Sequence, residues 1–167
     1  MRMRIDILSV LPGLFSGVFD GGRGVIGRAV VNRVLEIRVW DLRDFAEGKY
    51  RQTDNASYGG GAGMIMKPEP IARAVEDISA RGSMGEEKPW CILLSPQGAR
   101  LDQAKARALS VHPWLLLICG RYEGVDERIR QAFVDEEFSI GDYVLSGGEI
   151  PAMVLTDTVG RLVPGVL

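Results

Sequence analysis

The sequence predicts an α/β domain with a mostly parallel sheet flanked by helices. Segments with strand and helix patterns alternate along most of the chain, as they do where helices connect parallel strands. Two strand segments, residues 90–94 and Trp114–Cys119, are continuous apolar runs, which is typical of strands buried on both faces. A length of 167 residues suits one domain with a substantial core.

The amino-terminal third predicts two strands separated by helical turns. Residues 4–10 form a β-rich run that ends at a Leu-Pro-Gly turn, and residues 13–19 suit a brief helix. Apolar residues then recur at helical spacing from Ile26 to Val34. Residues 35–40 alternate, which places Leu35, Ile37 and Val39 on a buried face and leaves Trp40 on the wetter face.

The middle of the chain begins with a long irregular region. Residues 41–67 show almost no periodicity, and a loop of this length in a compact domain is usually functional or disordered. Pro68 and Pro70 then open a helix. The remaining predicted elements alternate between strand and helix: a strand at 90–94, a helix at 102–109, a strand at 114–119, a helix after 125, a strand at 138–140 and a helix at 150–162.

Three chemically unusual loops follow the predicted strands, at residues 95–98, 120–124 and 141–148. Ligands bind beyond the carboxyl ends of parallel strands, so we expect these loops to meet there. The last loop contains Gly141, Gly147 and Gly148, where the backbone can take a positive φ or allow another group to approach closely. The loops therefore predict a ligand site.

Composition and motifs exclude several kinds of site. A net charge of −2 does not indicate a nucleic-acid-binding surface over the whole chain, although it is compatible with a local basic patch. Neither a Walker loop nor a Gly-x-Gly-x-x-Gly motif occurs, and His112 is the only histidine, so no metal site is expected. Cys91 and Cys119 lie in apolar runs, which predicts reduced core thiols in a cytoplasmic protein. A bound organic cofactor with few charges fits best.

Three motifs carry a resemblance to a known family: Leu94-Ser-Pro-Gln-Gly98, Gly120-Arg-Tyr-Glu-Gly-Val-Asp-Glu-Arg128 and Ser139-Ile-Gly-Asp-Tyr-Val-Leu-Ser-Gly-Gly-Glu-Ile-Pro-Ala152. They resemble the bacterial tRNA (guanine-N1)-methyltransferases of the TrmD family, in the SPOUT class. The resemblance extends over the whole chain. It implies transfer of a methyl group from S-adenosyl-L-methionine to N1 of guanosine at tRNA position 37, a homodimer, and a deep trefoil knot.

The resemblance also implies which residues form the cofactor site. These are positions in the three loops: Leu94, Ser95, Pro96, Gln97, Gly120, Glu123, Ile140, Gly141, Tyr143, Leu145, Gly147 and Gly148. The cofactor carries a sulfonium cation, which a carboxylate at Glu123 or Asp142 would favour; either residue would equally serve as a cap of a helix or turn.

Methyl transfer to N1 requires a base and a cation, because negative charge develops on the guanine. By resemblance, Arg161 supplies the cation. The alternative interpretation is that Arg161 is an ordinary helix arginine that faces solvent. The family's base is an aspartate in a linker that would follow Leu167, ahead of a tRNA-binding helical domain. We therefore expect residues 1–167 to be the amino-terminal domain, able to bind the cofactor but inactive alone.

Substrate contacts are expected in the long irregular region. Asp54 resembles a position that helps to recognise the target nucleotides, and Tyr58 and Gly63 belong to a segment at the family's guanine pocket. Two other readings remain open at this point: a non-catalytic module that binds the cofactor or RNA, and an α/β enzyme that uses another nucleotide.

Overall fold

The computed structural model describes residues 2–56, 63–82, 88–121 and 123–167. The strands within them are β1 (Met3–Ser9), β2 (Leu35–Asp41), β3 (Asp54–Ala56), β4 (Met64–Met66), β5 (Trp90–Arg100), β6 (Trp114–Cys119) and β7 (Glu136–Ser139). The α-helices are α1 (Gly24–Val31), α2 (Pro68–Ala80), α3 (Gln103–Leu109), α4 (Glu127–Phe133) and α5 (Glu149–Gly160). Short 3-10 helices lie at Pro12–Phe15 and Leu42–Phe45.

Five strands form one sheet in the order β2-β1-β6-β5-β7, and each neighbouring pair is parallel. The two remaining strands, β3 and β4, pair antiparallel as a separate small sheet. The predicted α/β class with a mostly parallel sheet is confirmed. The trefoil knot stays a prediction from the resemblance.

Two apolar clusters lie on opposite faces of the sheet. One buries residues of α1, α3 and α5, and the other buries residues of α2 and α4. Strand β6 supplies alternate side chains to both, with Leu115 and Leu117 in the first cluster and Leu116 and Ile118 in the second. This two-sided burial explains why the whole strand is apolar.

A buried carboxylate ties the amino-terminal half of the sheet together. Asp6 is 0% exposed and accepts hydrogen bonds from the indoles of Trp40 and Trp114, each at 2.6 Å, and from Nε of Arg4 at 2.7 Å. The Arg4 guanidinium also lies over the Trp114 ring, 4.5 Å from its centroid. Since an unpaired buried carboxylate would be costly, these donors make Asp6 a stable link between β1, β2 and β6.

Several boundaries differ from the sequence predictions. The brief helix at 13–19 is the 3-10 helix Pro12–Phe15, and the irregular region contains the β3–β4 hairpin. The buried face assigned to β2 is wrong at Val39, which is 36% exposed because β2 is an edge strand. Trp40, placed on the wetter face, is half-buried and bonded to Asp6.

The largest difference concerns the loop predicted at residues 95–98. The structure assigns these residues to β5, which is interrupted by a register shift between Leu94 and Ala99. Phe138 of β7 pairs with both Leu94 and Ala99, so residues 95–98 leave the ladder and return to it. A bulged excursion of this kind keeps the strand continuous and still exposes its backbone.

In the described part of the chain, every helix is too short or too polar to cross a membrane.

Candidate functional site

A cavity of about 390 Å³ lies at the carboxyl ends of β5, β6 and β7. Its volume lies within the range of small-ligand sites. The wall comes from the excursion in β5, the loop after β6 and the loop before α5, so the three predicted segments converge as expected. The predicted cofactor residues all lie on this wall: Leu94, Ser95, Pro96, Gln97, Gly120, Glu123, Ile140, Gly141, Tyr143, Leu145, Gly147 and Gly148.

Three glycines of the wall permit close approach and do not take a positive φ. Gly141, Gly147 and Gly148 all have φ outside the left-handed region. A Cβ on Gly148 would lie 2.8 Å from the Cα of Cys119 and 2.9 Å from the amide nitrogen of Gly120. Of the two roles open from the sequence, the structure therefore supports close backbone packing.

The loop after β6 and the loop before α5 are joined by their backbones. The amide of Gly148 donates to the carbonyl of Gly120 at 2.8 Å, and Arg121 forms an antiparallel bridge with Gly147. The Arg121 side chain then reaches Glu149, with 2.5 Å between Nε and Oε1. Glu149 is 1% exposed and also accepts a hydrogen bond from Ser9 at 3.2 Å.

Cys119 lies at the inner end of this arrangement. Burial, together with the nearby Glu149 carboxylate, raises the pKa of the Cys119 thiol well above its ordinary value. Cys91 is likewise buried, and burial raises the pKa of its thiol to about 12. Both cysteines are free, as the sequence predicts, and both thiols stay protonated at neutral pH.

The β3–β4 hairpin packs against the loop after β6, which forms part of the cavity wall. The amide of Glu123 donates to the carbonyl of Met64 at 2.8 Å, and Met66 forms a parallel bridge with Val125. Gly63 has a φ of +96°, and any side chain there would overlap the side chain of Glu123. A predicted substrate residue, Gly63, therefore lies against a predicted cofactor residue, Glu123.

Three carboxylates line the cavity in different environments. Glu123 is exposed, and Glu127 accepts hydrogen bonds from Nε of Arg130 at 2.9 and 3.0 Å. The hydrogen bond from Arg130 lowers the pKa of Glu127. Burial raises the pKa of Glu137, because the charged form loses contact with water. The cavity thus offers negative charge to a cationic ligand, most freely at Glu123.

The other predicted residues that the structure describes are not part of the wall of this cavity. Asp54 is half-buried in β3, paired with Met66 across the hairpin. Arg161 is exposed at the carboxyl end of α5, a helix of 12 residues. Such a helix is about 18 Å long, so Arg161 lies far from the cavity next to the first residue of α5. Asp142 does not line the cavity, and Tyr58 lies outside the described residues.

Two charged residues, Arg121 and Glu149, were not assigned a role in the site from the sequence, although the glycine-rich segment brings the polar atoms of Glu149 to it. Arg121 lines the cavity, and Glu149, which does not line the cavity, accepts a hydrogen bond from the Arg121 guanidinium. Both stand inside the quoted motifs, but their pairing joins residues that are 28 positions apart, and sequence patterns do not show such contacts. The signal that was present is a glutamate that opens an apolar helix directly after Gly147 and Gly148.

The described residues contain no cluster of side chains able to hold a metal ion. His112, expected to be solvated, is instead half-buried and stacks on Trp90 with 4.6 Å between ring centroids. No metal role is assigned to it.

A parallel α/β sheet with a loop-built cavity at its carboxyl edge is the arrangement that α/β domains use to bind small organic ligands. The profile of the family described as tRNA (Guanine-1)-methyltransferase TrmD matches residues 3–167. The chain therefore belongs to the TrmD family, which confirms the resemblance drawn from the motifs.

Individual relatives agree with this assignment. A tRNA (guanine-N(1)-)-methyltransferase from Geobacillus kaustophilus is 52% identical over 165 residues, which are 99% of this chain and 65% of that protein. A tRNA (guanine-N(1)-)-methyltransferase from Bacillus cereus is 48% identical over 165 residues, which are 99% of this chain and 66% of that protein. The chain thus spans just under two thirds of these curated relatives.

A solved structure has the same fold. The crystal structure of a tRNA (m1G37) methyltransferase from Aquifex aeolicus superposes with a TM-score of 0.87 at 38% identity, covering 100% of this chain and 72% of that one.

Proposed function

We propose that residues 1–167 form the S-adenosyl-L-methionine-binding domain of a methyltransferase that acts on N1 of guanosine at tRNA position 37. The observation that carries the proposal is the cavity at the sheet edge, whose wall contains every residue assigned to the cofactor. Membership of the TrmD family and the activities named for its relatives supply the reaction and the substrate. A cytoplasmic location follows from tRNA as the substrate.

The residues of the cavity suit this cofactor. Leu94, Ile140 and Leu145 offer apolar surface for the faces of an adenine ring. Exposed backbone along residues 95–98 offers amide and carbonyl groups to the polar edge of the ring. When bound, S-adenosyl-L-methionine supplies an electrophilic methyl group on a sulfonium ion. Glu123 contributes a carboxylate whose charge favours the cationic cofactor over its neutral product.

The target guanine would enter beside the β3–β4 hairpin. Support comes from the contact between Gly63 and Glu123, which joins the predicted substrate segment to the predicted cofactor segment. Asp54 pairs with Met66 across the same hairpin. A guanine in an anticodon loop must be unstacked before N1 can be reached, and an open cavity rim allows this.

Arg161 is assigned to stabilise the negative charge that develops on the guanine. It lies too far from the cavity of its own chain, so we propose that it serves the cavity of a second copy in a homodimer. The exposed apolar side chains of Ile150 and Val154, on the same helix, support an interface there. A homodimer would place two such arginines at two cavities.

The proposal is tested by methyl transfer from labelled S-adenosyl-L-methionine to tRNA transcripts. A protein extended to the full length of its relatives should methylate a transcript with guanosine at position 37 and not one with adenosine there. Methylation of both transcripts, or of neither, would contradict the assigned activity. The 167-residue chain should bind S-adenosyl-L-methionine in the absence of tRNA, because the whole cavity wall belongs to it.

A further inference from the structure

The Glu149 carboxylate joins three separate elements beneath the candidate site. It belongs to the first residue of α5, and its Oε1 atom accepts the hydrogen bond from Arg121 in the loop after β6. Its Oε2 atom accepts a hydrogen bond from the hydroxyl of Ser9, the last residue of β1. A carboxylate that is 1% exposed is tolerated only when donors of this kind compensate for lost hydration.

Glu149 does not line the cavity, whereas Arg121 does. The guanidinium of Arg121 is held at Nε by Glu149, and its backbone is bridged to Gly147. Its amide also contacts the sulfur of Met66 at 3.3 Å, which brings the hairpin to the same point. Arg121 therefore joins its own loop to the loop before α5 and to the hairpin, and Glu149 fixes the orientation of Arg121.

We propose that Glu149 is a positioning residue for cofactor binding, which acts through Arg121 to keep the cavity formed before the ligand arrives. The inference rests on the proposed function, because the ligand it concerns is S-adenosyl-L-methionine. A site that is ordered in advance loses less conformational entropy on binding, so weakening this ion pair should weaken affinity even though Glu149 does not touch the ligand.

A purely stabilising role for Glu149 would have a different signature. Asp6 supplies the matched control, since it is also a fully buried carboxylate paired with an arginine, Arg4. Asp6 does not line the cavity. Its loss should lower the stability of the fold and leave the affinity of the folded protein unchanged.

The test compares Glu149→Gln, Arg121→Met and their double variant by calorimetry with S-adenosyl-L-methionine, well below each melting temperature. We expect each single variant to bind about tenfold more weakly, and the double variant to be no weaker than the weaker single one, because the two residues act as a unit. Asp6→Asn should melt at a lower temperature and keep its affinity within about twofold.

The outcomes separate this inference from the proposed function. If the unmodified chain does not bind S-adenosyl-L-methionine, the proposed function is wrong. If it binds and Glu149→Gln binds equally well, or if the two single effects simply add, the positioning role is overturned. Should Glu149→Gln fail to fold, Ser9→Ala replaces it in the test, because this variant removes one hydrogen bond to Glu149 and leaves the Glu149 charge paired with Arg121. Binding that is about threefold weaker in Ser9→Ala supports the positioning role, and unchanged binding overturns it.

Discussion

The amide of Gly148 donates a 2.8 Å hydrogen bond to the carbonyl of Gly120, which joins the loop before α5 to the loop after β6. Both residues line the cavity, and Gly148 is buried. This backbone contact leaves no room for a side chain, which explains a glycine at position 148 although its φ of −82° suits any residue.

Gly148→Ala should therefore destabilise the fold and weaken ligand binding together. The added methyl group would meet backbone atoms of Cys119 and Gly120, which cannot rotate away as a side chain would. Overpacking of this kind costs about 1–3 kcal/mol, measured as the free energy of unfolding in urea. Gly13→Ala is the control, since nothing lies within 4 Å of its added Cβ. A Gly148→Ala protein as stable as this control would show that the loops separate freely.

Glu123→Gln tests the electrostatic role of that carboxylate. We expect affinity for S-adenosyl-L-methionine to fall about threefold, while affinity for the neutral product S-adenosylhomocysteine changes little, because only the former carries a sulfonium charge. Calorimetry with both ligands measures the ratio. Glu127→Gln is the matched control, since Glu127 also lines the cavity but is neutralised by Arg130. Equal losses for the two ligands would mean that Glu123 acts only by accepting hydrogen bonds.

Glu137→Gln should stabilise the protein at neutral pH. Burial raises the pKa of Glu137 above its ordinary value of 4.5, so the folded state favours the protonated form. The protonated Glu137 side chain therefore contributes stability that is fully present below pH 4.5, and this contribution is lost as pH rises through the higher folded-state pKa. The variant should match the unmodified chain near pH 4 and melt at a higher temperature near pH 7.

Glu127→Gln should change the stability at neutral pH in the opposite direction. The hydrogen bond from Arg130 lowers the pKa of Glu127, so the charged form favours the folded state above pH 4.5. This variant should melt at an equal or lower temperature near pH 7. A Glu137→Gln protein that melts below the unmodified chain at pH 7 would show that the Glu137 charge is favourable in the fold.

Much of the fold could be predicted because parallel strands bury both faces. The runs at Trp90 and Trp114 identified two central strands, and the alternation of elements identified the class. Edge strand β2 was harder, since Val39 stays 36% exposed and the place of Trp40 depends on distant partners, Asp6 and Arg81. The hairpin β3–β4 was missed because strands as short as Asp54–Ala56 leave no periodic pattern.

The segments that form the candidate site were predicted from the sequence, but the contacts between their residues were not. Parallel topology alone brings the three loops to one sheet edge, so their convergence followed from the sequence. The bond from Arg121 to Glu149 and the contact of Gly63 with Glu123 depend on how the loops fold in three dimensions. Arg161 could not be placed at a cavity from one chain, because α5 separates them.

The central claim is that the cavity at the carboxyl edge of the sheet binds S-adenosyl-L-methionine, and calorimetric titration of the 167-residue chain tests it most directly. We predict saturable binding of one molecule per chain, competed by S-adenosylhomocysteine and not by ATP, and weakened in Gly148→Ala. Binding of ATP with no response to S-adenosyl-L-methionine, or unchanged binding in the Gly148→Ala protein, would contradict the claim.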